Sequence, residues 1–107
     1  MTETITVEPA ANGVRITRHV GRLPRYVVIP HRGVRQFCTA ILAIIESDAG
    51  QVRNTQTVDC HVGAPIRLAR TADGKLRVSR VAGGVDHFIV ATDGEWADIA
   101  LQLLEAA

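Results

Sequence analysis

Aromatic rings, cysteine, lysine and long apolar runs are all scarce in this chain, and each scarcity excludes something. Large rings occur only at Tyr26, Phe37, Phe88 and Trp96, so a packed core has to be built from Val, Ile, Leu and Ala. The two cysteines, Cys38 and Cys60, do not make the disulfide framework of a small secreted domain. Cys38 falls on an apolar helical face, where a free thiol serves as a small buried hydrophobe, and a reducing, cytoplasmic setting is the economical expectation. The longest apolar run, Ala40–Ile45, is far short of the ~20 residues that a membrane-spanning helix needs. The opening Met-Thr-Glu-Thr-Ile-Thr has no basic stretch ahead of an apolar segment, so no secretory leader is expected there.

Chemistry-bearing patterns are missing as well. Cys60-His61 is a metal pair by residue type, but adjacent strand residues point to opposite faces and no CxxC or HxxxH spacing accompanies it. Ser47 and Ser79 lie in no nucleophile elbow, and Gly83-Gly84 has no phosphate-loop pattern around it. Asp93, Glu95 and Asp98 crowd the start of a predicted helix, where the helix dipole favours carboxylates without any active site. Neither an enzyme nor a cofactor is expected.

What is present is a packed globule with a hidden repeat. Hydrophobic residues make up 47% and charged residues 21% of 107 residues, the profile of one folded domain rather than a disordered tail. Residues 5–42 can be laid over residues 66–104 with one extra residue, Lys75, in the second copy. Asn12-Gly13 then meets Asp73-Gly74, Val14-Arg15-Ile16-Thr17-Arg18 meets Leu76-Arg77-Val78-Ser79-Arg80, and Tyr26-Val27-Val28 meets Phe88-Ile89-Val90.

Each copy predicts three strands and a helix. Asn-Gly and Asp-Gly between alternating segments favour type I′ hairpin turns, joining Ile5–Val7 to Val14–Val20 and Ile66–Leu68 to Leu76–Ala82. A looser turn (Gly21 to Pro24; Gly83 to Asp86) leads to a third strand, Arg25–Ile29 or His87–Ala91. Val34, Phe37, Cys38, Ile41, Leu42 and Ile45 recur at helical spacing, as do Trp96, Ile99, Ala100, Leu103 and Leu104. The first helix is expected to end near residues 47–50, and Thr92-Asp93-Gly94-Glu95 is a capping box for the second. The expectation is therefore an α+β protein of one domain, 1–107. Two tandem β-β-β-α repeats (5–46 and 66–107) flank a connector (47–65), giving a pseudo-twofold arrangement of antiparallel sheet and two helices. Thr57–Val62 alternates and offers one more strand in the connector.

The segment His87-Phe88-Ile89-Val90-Ala91-Thr92, running through Glu95-Trp96 to Ile99 and Leu103, resembles the end of a PC4-type module, where an alternating final strand enters a helix with Trp in its first turn. A strand meander followed by one helix, present twice, is similar to PC4, Whirly and PUR-repeat proteins. The resemblance implies binding of single-stranded nucleic acid, with three strands per unit here where those families usually have four.

Charge points the same way. The net charge of +1 provides no global field, but Pro9 to Ile45 contains no acidic residue while Arg15, Arg18, Arg22, Arg25, Arg32 and Arg35 fall inside it. Eleven of the 12 basic residues are arginine, which a GC-rich coding sequence also produces. On strands, Arg15 and its counterpart Arg77 point away from the apolar side. Arg15, Arg22, Arg25 and Arg77 lining a sheet face, Arg32 at a helix start, and Tyr26 and Phe88 as rings for bases form the expected interface for single-stranded DNA or RNA. The competing expectation is a protein-interaction module or a small regulator of the phage-encoded kind. It would use Tyr26, Val28, Phe88 and Val90 as an apolar face for a second copy or a host protein.

Overall fold

The computed structural model describes residues 4–20, 23–46, 56–60 and 63–106. Strands β1 (Thr4–Ala10), β2 (Gly13–Val20) and β3 (Leu23–Pro30) lead through a 3₁₀ turn (His31–Gly33) into helix α1 (Val34–Glu46). A short strand β4 (Gln56–Val58) precedes β5 (Ile66–Arg70), β6 (Leu76–Ala82), β7 (Val85–Ala91) and helix α2 (Asp93–Ala106). The strands form two antiparallel sheets, β1-β2-β3 and β4-β5-β6-β7, so the protein is α+β.

Alternation decides which face is buried. Val14, Ile16, Val27 and Ile29 point inward from the first sheet, and Ile66, Leu68, Leu76, Val78, Ile89 and Ala91 from the second; all are buried. The helices cover these faces and pack on each other. Phe37 meets Trp96 edge-to-face, with ring centroids 6.2 Å apart, and the Cys38 thiol donates to the Ala100 carbonyl at 3.6 Å. Trp96, fully buried, donates its indole N–H to the Leu76 carbonyl at 2.9 Å. One apolar cluster joins residues of both sheets and both helices.

The turns depart from the pattern expected of the sequence. The first hairpin closes on Ala11-Asn12, because Ala10 pairs with Gly13 and Gly13 opens β2. A Cβ there would lie 2.0 Å from the Ile29 carbonyl oxygen, so this glycine serves a close backbone approach rather than a type I′ turn. The second hairpin is longer. Thr71 N–H donates to the Lys75 carbonyl at 2.9 Å, and Gly74 takes the left-handed position at φ 84°, as in a three-residue loop. The extra Lys75 fills that longer loop. Gly83-Gly84, expected to be loose, is the tight turn: both have positive φ, 60° and 77°, between the pair Ala82 and Val85, which is type I′ geometry. In the connector, strand Gln56–Val58 replaces the expected Thr57–Val62; residues 61–62, like Gly21, Arg22 and residues 47–50, lie outside the described residues.

Two polar devices fix α2. Thr92 N–H donates to Glu95 Oε1 at 2.9 Å and Glu95 N–H to Thr92 Oγ1 at 3.2 Å, the reciprocal capping box. That amide, above all, holds the Glu95 carboxyl below its ordinary range. From β5, Arg70 grips both Asp93 carboxylate oxygens, Oδ2 at 3.0 Å. It also donates to the carbonyls of Ile44 at 3.3 Å and Gly74 at 3.1 Å, tying β5 to both helices. Among the described residues no helix is long and apolar enough to cross a membrane.

Candidate nucleic-acid interface

Strands β3 and β7 belong to different sheets but run beside each other where the sheets meet. This seam brings together five of the residues expected to bind. Arg25 lies over the Phe88 ring, guanidinium carbon to centroid 4.3 Å, and Arg77 lies over the same ring at 4.5 Å. Tyr26 stacks on His87 with centroids 4.7 Å apart and planes tilted by 32°, and Arg15 sits 5.8 Å from the Tyr26 centroid. Strand parity explains the outward set: Thr17 pairs with Tyr26 and Arg15 with Val28, and Ser79 pairs with Phe88 and Arg77 with Val90. Arg25 and His87 have inward parity on their own sheets. They reach the rings only because each sheet edge meets the other.

A concavity of about 620 Å³ lies over the outer face of the second sheet, with Arg67, Arg77, Arg80 and Ser79 among its lining residues. Ser79 forms part of its wall; although its side chain points outward, it is 4% exposed, and a larger residue would fill the space. Two smaller hollows, about 170 and 220 Å³, lie against Phe88; Arg25 lines both. Along the three hollows the basic residues are Arg18, Arg25, Arg67, Lys75, Arg77 and Arg80, with His87, against the single carboxylate Asp86. Carboxylates stand close to part of this set as well: Lys75 is 3.7 Å from Asp73, and Arg18 and Lys75 both act on Glu95.

Some of that charge is already engaged. Arg77 donates to Asp86 at 3.0 Å, Arg15 is 3.9 Å from Glu8, and Arg80 donates to the carbonyls of Ala64 at 3.0 Å and Val28 at 3.3 Å. Arg80 therefore braces the two sheets against each other. Arg67 is exposed and makes no ion pair with a described residue.

Of the two remaining expected residues only Arg32 has a described position, and it lies elsewhere. Arg22 lies outside the described residues. Arg32, exposed in the 3₁₀ turn, stands beyond the far end of β3, roughly 20 Å from Arg25 at the usual rise of a strand. Sequence reasoning missed Arg67 and His87. Arg67 carries a legible signal, a basic residue alternating with Ile66 and Leu68, whereas His87 carries none, since its role depends on the docked edges.

Burial pushes the Cys38 and Cys60 thiols up, so neither is a ready nucleophile. Among the described residues no group of three or more His, Cys, Asp or Glu side chains is placed to hold a metal. Compared with protein-family models, curated proteins and solved structures, the chain gives no match.

Proposed function

We propose that the protein binds single-stranded nucleic acid along the arginine track, without catalysing a reaction. The observation that carries this reading is the seam cluster, in which Arg25 and Arg77 overlie Phe88, Arg67 is exposed beside them and Tyr26 is 39% exposed at its edge. Phosphates would run along Arg67, Arg77 and Arg25, releasing counterions, while bases stack on Tyr26 and on the guanidinium planes over Phe88. The protein-interaction reading asks for an open apolar face at Tyr26, Val28, Phe88 and Val90. The last three are only half-exposed, and guanidinium groups overlie Phe88, so the surface offered is cationic.

In the same reading the two β-β-β-α halves are copies related by a pseudo-twofold axis through the seam. The contacts support this by their reciprocity. Arg15 over Tyr26 corresponds to Arg77 over Phe88, and Arg25 on Phe88 corresponds to His87 on Tyr26.

Fluorescence anisotropy of labelled single-stranded and duplex oligonucleotides across a salt series tests the proposal. Single strands are expected to bind more tightly than duplex, with an affinity that falls as salt rises, by about 0.7 in logarithmic slope for each phosphate neutralised. Arg67→Glu, at an exposed side chain with no ion pair to a described residue, should weaken binding sharply and leave the melting temperature nearly unchanged. Absence of binding by the wild type at tens of micromolar protein in low salt refutes the reading.

A further inference from the structure

The two ring-and-cation clusters at the seam differ in one chemically decisive way. Phe88 is flanked by Arg25 and Arg77, both charged at every physiological pH. Tyr26 is flanked by Arg15 and, at the position matching Arg25, by His87, whose type titrates near pH 6.5. We infer that the site consists of two half-sites, one permanently cationic and one completed only when His87 is protonated, so that affinity for a single-stranded polyanion rises as pH falls. The inference rests on the nucleic-acid reading and adds a specificity-determining residue to it.

The charges around His87 set the direction. Arg80 is its cross-strand partner on β6, Arg25 and Asp86 share a hollow of about 220 Å³ with it, and Tyr26 stacks on it from β3. Asp86 is drawn to Arg77 at 3.0 Å, so the charges that face His87 sum to a cationic patch. A phosphate laid across the seam reverses that balance. Protonation and polyanion binding then favour each other, as linkage requires.

The experiment measures binding of a labelled oligothymidylate to the full chain between pH 5.5 and 8.0 at fixed ionic strength, repeated at several salt concentrations. The wild type should tighten on the order of tenfold toward pH 5.5, as one added charge-assisted contact provides. Its salt slope should steepen by about 0.7, the mark of one more neutralised phosphate on a single strand. His87→Gln should bind weakly with no such pH dependence, and His87→Arg should bind tightly at both ends of the range. A wild type whose affinity and salt slope ignore pH, or a His87→Gln variant that keeps the wild-type dependence, overturns the inference while leaving the nucleic-acid reading intact. A wild type that binds at no pH overturns both. A purely structural role for His87 would alter affinity equally at every pH, and so counts against the inference as well.

Discussion

Replacing Arg70 with methionine removes the guanidinium that joins β5 to α2, α1 and the β5–β6 loop while keeping most of the side-chain volume. Three contacts go: the paired bonds to Asp93, the 3.3 Å bond to the Ile44 carbonyl and the 3.1 Å bond to the Gly74 carbonyl. Breaking a fully buried ion pair costs about 3–5 kcal/mol. Here the Arg70 side chain is 10% exposed but Asp93 is 40% exposed, so water recovers much of the freed carboxylate. The expected loss is about 2–3 kcal/mol, within the range of charge-assisted hydrogen bonds. For a domain of this size that lowers the melting temperature by roughly 10–20 °C and the urea midpoint by about 2 M. Trp96 is the only tryptophan and is fully buried, so its emission follows unfolding directly. Asp93→Asn should cost less, about 1–2 kcal/mol, because Arg70 retains both carbonyls. The double variant should then be less destabilised than the sum of the singles by about 1 kcal/mol or more. A methionine variant within about 0.5 kcal/mol of wild type, or strictly additive singles, would show that the grip on α2 is ornamental.

Other perturbations test the turns and the cap. Gly13→Ala places a methyl 2.0 Å from the Ile29 carbonyl oxygen; backbone must move, and a loss of about 3 kcal/mol or more is expected by thermal or urea unfolding. At Gly83, φ is positive and nothing lies within 4 Å of a built Cβ, so Gly83→Asn should be close to neutral while Gly83→Val costs about 1–2 kcal/mol from backbone strain alone. Glu95→Ala should cost about 1 kcal/mol at pH 7. Because the folded carboxyl sits below its ordinary value, that stabilisation is complete above the unfolded pKa near ~4.3 and disappears as pH falls through the folded value. The gap between wild-type and Glu95→Ala unfolding curves should therefore close on acidification.

The strands and helices were legible because their signals are local. Val14 and Ile16, or Leu76 and Val78, alternate with polar residues wherever one sheet face is buried, and α2 has its capping box in four consecutive residues. Turn chemistry was less legible. Asn12-Gly13 has the composition of a type I′ turn, yet a tertiary contact with Ile29 uses that glycine in the strand. Gly83-Gly84 is itself a type I′ dipeptide, free to take positive φ at both positions, but it lacks the Asn or Asp that drew the hairpin reading elsewhere.

The candidate site divides along the same line. Outward parity and matching positions in the two halves picked out Arg15, Arg77, Tyr26 and Phe88. His87 and Arg25 reach the rings only because β3 and β7 lie edge to edge, and no periodicity within one strand reports that. Arg32 failed to join the cluster because a gap in acidic residues counts neighbours along the chain, whereas β3 carries its two ends far apart.

The crossed contacts at the seam bear on direction. A nucleic-acid strand has a 5′ and a 3′ end, but if the seam binds one as proposed, a site that matches Tyr26 with Phe88 and Arg15 with Arg77 would present much the same chemistry to a strand entering from either side. Polarity can be read only where the halves differ, at Arg25 and His87. On that proposal, a strand would prefer one orientation while His87 is neutral and would run either way once His87 carries a proton.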